Sequence, residues 1–224
     1  MCWLSCVLFD LDGTLIDSNE LIIESFKHTF KLHLGRNIPE TEIARTFGRP
    51  LVEVLHEYAG GDGNKAGDML ATYQKHNESQ HDTAVGLFPG VKETLARLKL
   101  AGCTLAAVTG KRRRLALRGL RLCGLDEYMA VVVTPEDTEW HKPKPDPVLK
   151  ALTLLQQPAQ NTLMVGDSPS DLASARAAGT YTAAVSWSVV PVEYLRAQRP
   201  DFVLQSMADL LTICRFKQQV AREQ

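Results

Sequence analysis

Four polar residues stand just beyond short apolar runs of this chain. Asp10 and Asp12 follow Leu4–Phe9, Thr109 follows Thr104–Val108, and Asp167 follows Leu163–Val165. A fifth, Lys142, ends the longer loop after Ala130–Val133. Carboxylates brought close together repel one another, and one of them keeps a proton unless a cation joins them. Mg²⁺ prefers hard oxygen ligands and retained waters, and it polarises a phosphoryl group for attack. Three carboxylates, a hydroxyl and an ammonium therefore point to metal and phosphate chemistry at one place.

Such convergence requires elements that bring distant segments to one edge. The apolar runs, with Thr182–Val185 as the last, are short and nearly continuous, as in strands buried on both faces of a parallel sheet. Between them Val91–Leu100, Arg112–Cys123, Pro147–Leu155 and Ser170–Ala178 read as helices, three of them followed by a glycine. The alternation predicts an α/β fold, a doubly wound parallel sheet whose ligands lie at the C-terminal strand ends.

One connection breaks the rhythm. About 80 residues separate the first strand from the second β-α unit. They read as helices over Asn19–Leu34, Glu40–Thr46, Leu51–Tyr58 and Ala66–Ser79, with Gly60-Gly61-Asp62-Gly63-Asn64 as a turn. The expectation is a helical cap domain, residues 17–86, inserted after strand 1 into a core of 1–16 and 87–224. Hinges are placed near Asp17 and Val85-Gly86. Leu21, Ile22, Phe26 and Phe30 would form the cap core.

Bulk properties suit a soluble enzyme. Of 224 residues, 45% are hydrophobic and 23% charged, and the net charge is −1, so no bulk field recruits nucleic acid or anionic membrane. The five cysteines are odd in number and form no CxxC pair, which reads as small apolar side chains in a reducing compartment. Met1–Phe9 lacks a basic region and a cleavage site, so it reads as a strand rather than a signal peptide. No apolar run reaches membrane-spanning length. A cytoplasmic protein is expected.

Four segments in order carry a family resemblance: Phe9-Asp10-Leu11-Asp12-Gly13-Thr14, Val108-Thr109-Gly110-Lys111, Lys142-Pro143-Lys144-Pro145 and Val165-Gly166-Asp167-Ser168-Pro169-Ser170-Asp171. Together they resemble the motifs of the haloacid dehalogenase superfamily of phosphatases, whose core is a Rossmann-like sheet. The resemblance implies Asp10 as nucleophile and Asp12 as general acid/base. It implies Thr109 and the Gly110 N–H as phosphoryl donors, and Lys142 as the neutralising cation. Mg²⁺ would be held by Asp10, the Asp12 carbonyl and Asp167, with Asp171 holding a metal-bound water. Gly110 stands where the family often has Asn, which removes a side-chain donor and keeps the backbone one.

The cap sets the substrate. Asp17-Ser18-Asn19-Glu20-Leu21-Ile22-Ile23, Tyr73–Asp82, Thr182–Trp187 and Arg199-Pro200-Asp201-Phe202 resemble the PpaX-type pyrophosphatase group of that superfamily. This implies hydrolysis of inorganic pyrophosphate, with 2-phosphoglycolate or another small organic phosphate as the alternative. Pyrophosphate is small and highly charged and calls for cations and donors over its distal phosphate, for which Lys111, Arg49, Asn19, Asn77 and His81 are the candidates. The run Lys111-Arg112-Arg113-Arg114 beyond Lys111 reads as a solvated face, and Trp140-His141 as a packing element.

Overall fold

The structure, a computed structural model, describes residues 4–220. Met1–Trp3, the start of the expected apolar lead-in, and with it Cys2, lie outside the described residues. Strand β1 (Cys6–Phe9) is followed by the short β2 (Ile16–Asp17) and four helices, α1 (Asn19–Leu34), α2 (Glu40–Ala44), α3 (Leu51–Tyr58) and α4 (Gly63–Ala84). The chain returns through β3 (Gly86–Leu87) and alternates α5 (Val91–Leu100), β4 (Thr104–Val108), α6 (Arg113–Leu122), β5 (Val131–Val133) and α7 (Asp146–Leu155). It ends with β6 (Thr162–Gly166), α8 (Pro169–Ala177), β7 (Tyr181–Val185), α9 (Val192–Ala197), β8 (Phe202–Leu204) and α10 (Asp209–Val220).

Six strands form one sheet in the order β5-β4-β1-β6-β7-β8, with every pair parallel. This is the doubly wound arrangement expected. β1 lies between β4 and β6, and all four of its residues are buried. Side chains alternate across a strand, so Val7 and Phe9 join one apolar cluster and Cys6 and Leu8 the other. A strand covered on both faces has no polar alternation, which is why the run reads as continuous. Cys103, Cys123 and Cys214 are half-buried against the first of these clusters.

Helices α1–α4 pack around their own apolar cluster, which includes Phe26, Phe30, Ile43, Leu55, Met69 and Tyr73. Ile22 only flanks it, and Leu21 is buried outside it. The segment leaves and rejoins the core through the antiparallel pair β2–β3, where Asp17 faces Gly86.

Several boundaries depart from expectation. α4 starts at Gly63 because Asp62 caps it, its carboxylate accepting from the N–H groups of Asn64 and Lys65 at 2.9 and 3.1 Å. The glycine-rich turn therefore ends inside the helix. At its other end α4 continues to Ala84, beyond the expected Ser79, because its polar last turns pack against α6. β8, α9 and α10 were not anticipated; β8 has three residues, too few for a pattern. Among the described residues no helix is long and apolar enough to cross a membrane.

Candidate active site

The polar residues past the strands continue the sheet before they leave it. The Asp10 N–H donates to Val165 O at 2.9 Å and the Thr109 N–H to Val133 O at 3.0 Å. Asp10 and Thr109 are thus fixed by backbone pairing one residue beyond β1 and β4. After Asp12 the chain turns back, and the N–H groups of Leu15 and Ile16 both donate to Leu11 O. Gly13 makes the turn at φ +78°, and a Cβ there would fall 2.1 Å from Asp167 Oδ2. Only glycine admits that approach.

Lys142 is the hub. Its Nζ lies 2.8 Å from Asp10 Oδ1, 2.5 Å from Asp171 Oδ1 and 3.0 Å from Val108 O. Asp10, Asp167 and Asp171 are buried, and each offers an oxygen within 4.8 Å of the others. Burial raises the Asp10 pKa, the charges of Asp171 and Asp12 push the same way, and Lys142 offsets only part of this. Burial likewise raises Asp167 well above the ordinary carboxylate value, with Asp171 and Asp10 adding to it and Ser188 and Lys142 opposing. Burial works to lower the Lys142 pKa, but the charges of Asp10 and Asp171 and their hydrogen bonds outweigh it and hold the pKa above the ordinary lysine value.

One ammonium thus faces three buried carboxylates, an excess of negative charge that fits a hard divalent cation. Asp10 and Asp167 carry most of that unmet charge. Asp171 is more fully engaged, because its Oδ2 also accepts from the N–H and hydroxyl of Ser168 at 3.0 and 2.6 Å. That is a capping box at the start of α8.

Asp12 turns away from this triad. Its Oδ1 accepts from Lys111 Nζ at 2.7 Å and Ser18 Oγ at 2.5 Å. Burial pushes its carboxyl up, but the Lys111 charge and the two hydrogen bonds outweigh it and hold the pKa below the ordinary value. Thr109 Oγ1 accepts from the Lys111 N–H at 3.1 Å. No atom stands within 4 Å of where a Gly110 Cβ would be, so its backbone borders open space.

The expected cap contacts divide. Asn19 opens α1 beside Ser18, buried, with its Oδ1 unpartnered. Arg49 is not brought to the carboxylates; its guanidinium pairs with Glu57 at 2.7 Å on the cap surface. Its neighbour Gly48 is the close contact instead, at φ +78° with a Cβ position 2.2 Å from Ser168 Cβ. Phe47 packs both against the α1–α4 cluster and against the cluster of Leu172, Ala184, Val190 and Leu195. Asn77 is buried and donates to Ser25 Oγ at 3.3 Å. His81 is wholly buried, with Nε2 unpartnered.

Arg112 and Arg114 are exposed, as expected of a solvated face, and the arginines also pair across it: Arg112, Arg114 and Arg118 contact α4 and Arg113 contacts Asp137. One expectation is corrected. Trp140 is 56% exposed and packs into no core cluster.

Three serines at the site lie outside the set of residues the sequence singles out. Ser18 and Ser168 are described above, and Ser188 Oγ donates to Asp167 Oδ2 at 2.5 Å. The spacing of Ser168 and Asp171 is a capping-box signature legible in sequence. Ser18 carries the weaker signal of a helix-start position, and nothing local marks Ser188.

The chain is similar to known proteins over most of its length. Residues 7–185 match the family model described as haloacid dehalogenase-like hydrolase. The chain is 51% identical over 210 residues to a protein of Caldanaerobacter subterraneus subsp. tengcongensis named "Putative pyrophosphatase PpaX", covering 94% of each chain. It is 42% identical to pyrophosphatase PpaX of Halalkalibacterium halodurans, covering 94% of this chain and 96% of that one. Among solved structures, a "putative phosphoglycolate phosphatase" from Lactobacillus plantarum is 26% identical with a TM-score of 0.85, covering 95% of this chain and 99% of that one.

Proposed function

Because the chain belongs to the haloacid dehalogenase-like hydrolase family and is a phosphatase of it, we propose that it hydrolyses inorganic pyrophosphate by way of a phosphoryl group carried on Asp10. The observation that carries the chemistry is Lys142 Nζ, held between Asp10 and Asp171 beside Asp167. The pyrophosphate reading rests on the 51% identity, over nearly the whole chain, to a relative whose name gives that activity.

Asp10 attacks phosphorus with a carboxylate oxygen, forming an acyl phosphate and releasing the distal phosphate. Lys142 neutralises charge building on the transferred phosphoryl oxygens, and Thr109 Oγ1 and the Gly110 N–H donate to them. Asp12 protonates the departing oxygen and, now ionised, takes a proton from the water that opens the acyl phosphate. In the free enzyme Lys111 and Ser18 keep Asp12 ionised. A phosphate arriving beside Lys111 draws that ammonium off Asp12, which raises the carboxyl's proton affinity so that it takes up a proton from solvent before the leaving oxygen needs one. Asp10 and Asp167, with Asp171 behind them, are the residues that would hold Mg²⁺. When bound, the ion supplies positive charge against the three carboxylates and the phosphoryl oxygens.

Residues 17–86 act as the cap in this reading. Asn19 and Lys111 receive the distal phosphate, and Phe47-Gly48 docks the cap against Ser168. Arg49 would reach substrate only by leaving Glu57. We place the enzyme in the cytoplasm.

A small organic phosphate such as 2-phosphoglycolate is the second reading, favoured by the Lactobacillus plantarum neighbour. Phosphate release by the purified protein from pyrophosphate, 2-phosphoglycolate and sugar phosphates, with and without Mg²⁺, separates the two. The proposal expects pyrophosphate to give the highest kcat/KM; a higher value for 2-phosphoglycolate overturns it.

A further inference from the structure

Helix α4 presents two adjacent rows at four-residue spacing. Tyr73, Asn77 and His81 are buried. One residue round, Gln74, Glu78 and Asp82 each meet an arginine of α6 or its N-cap. Arg112 donates to Gln74 Oε1 at 3.2 Å, Arg114 pairs with Glu78, and Arg118 donates to Asp82 Oδ2 at 2.6 Å.

Under the last rung His81 Nδ1 lies 3.1 Å from Asp82 Oδ1. The His81 ring stands 3.5 Å from the position of a Gly119 Cβ, which would also meet Ile16 at 3.3 Å. A methyl group at 119 would therefore already touch both, so the two helices pack closely at this point. α6 itself is anchored to the core, since the Arg113 N–H donates to the Glu136 carboxylate at 3.1 and 3.2 Å. A carboxylate at a helix N-terminus is a favourable partner. The residue just before Arg112 is Lys111, bonded to Asp12.

We propose that the rows Gln74-Glu78-Asp82 and Arg112-Arg114-Arg118 are positioning residues, a ladder that sets the register of the cap over Asp12 and Lys111. This rests on the reading above, in which the cap helps to hold the leaving group. Half-exposed ion pairs add little to folding stability, so stability does not explain two of them in line with the Arg112–Gln74 hydrogen bond. Register does, because only one register matches all six side chains: a one-turn slide of α4 one way strands Gln74 and Arg118, and a slide the other way strands Arg112 and Asp82 and leaves one ion pair of two.

The test is a charge swap in the full chain with Mg²⁺: Glu78→Arg, Arg114→Glu and the double variant. KM and kcat are read for pyrophosphate and for p-nitrophenyl phosphate, alongside Tm. Each single reversal is expected to raise KM about fivefold or more, with kcat within about twofold, and the swap to restore KM to within about twofold. Singles that leave KM unchanged at wild-type Tm overturn the ladder, as does a swap no better than the worse single. If Glu78→Arg does not fold, Glu78→Gln is expected to raise KM in the same direction, and no rise overturns the ladder. A wild type active on the aryl phosphate and inactive on pyrophosphate sinks the substrate reading, while the ladder is still decided on the aryl phosphate.

Discussion

Alanine at Gly48 would place a methyl group 2.2 Å from Ser168 Cβ and 2.3 Å from its Oγ. Carbon contacts settle near 3.5–4.0 Å, so the loop must draw back by about 1.5 Å. Ser168 cannot give way, because its hydroxyl donates to Asp171 at 2.6 Å and accepts the Asp171 N–H at 3.2 Å. Two costs follow. A left-handed residue with a Cβ is disfavoured by roughly 1–2 kcal/mol, in docked and undocked cap alike. Withdrawal also lifts Phe47 off the cluster of Leu172, Ala184, Val190 and Leu195. Full burial of such a side chain is worth roughly 1.5–3 kcal/mol, and Phe47 is half-buried, so about 1–1.5 kcal/mol is lost. That second cost falls only on the docked state. Gly48→Ala is therefore expected to lower kcat/KM about tenfold and Tm by about 3–8 °C. Phosphate release and calorimetry read the two separately. A kcat/KM within about twofold of wild type, with Tm lowered as expected, would refute docking through Gly48.

Metal binding should stabilise the fold. Titrating Mg²⁺ into metal-free protein is expected to raise Tm, by about 2.7 kcal/mol of stability at a hundredfold excess over Kd. Asp167→Asn should abolish that rise; an undiminished rise in the variant would place the ion elsewhere. His81 supplies a pH test. Burial holds its pKa below the ordinary 6.5, with Lys111 adding to the effect and Asp82 and Asp12 opposing it. The unfolded chain therefore takes up a proton below about pH 6.5 that the folded chain refuses. The stability His81 contributes is whole above that pH and is lost as pH falls. His81→Gln should thus lose less Tm than wild type between pH 7.5 and 5.5, a comparison in which the active-site carboxylates cancel. Parallel curves would exclude a buried neutral imidazole.

The centre of the site was legible because β1, β4 and β6 are buried on both faces. Continuous apolar runs ending in Asp10, Asp12, Thr109 and Asp167 expose their chemistry to a reader who knows where a parallel sheet binds ligands. Lys142 was legible only through its motif, since its loop is long. What sequence hid is side-chain direction across helices. The arginines after Lys111 look solvent-facing when α6 is read alone, because their partners lie on α4, whose polar row looks equally solvated by itself. Arg49 was the opposite case: its charge suggested phosphate, whereas Glu57, eight residues on, takes it up. Ser188 reaches Asp167 from the loop after β7, a contact that only the folded sheet creates.

Trapping the phosphoryl group on the enzyme tests the central claim most directly. Protein turning over its substrate with Mg²⁺ is quenched in acid, digested and read by mass spectrometry. One phosphoryl group on the Asp10 carboxylate, cleaved by hydroxylamine and missing from Asp10→Asn, is the expected result. Steady turnover with Asp10 unmodified and the group on another side chain, or undiminished turnover by Asp10→Asn, would contradict the account.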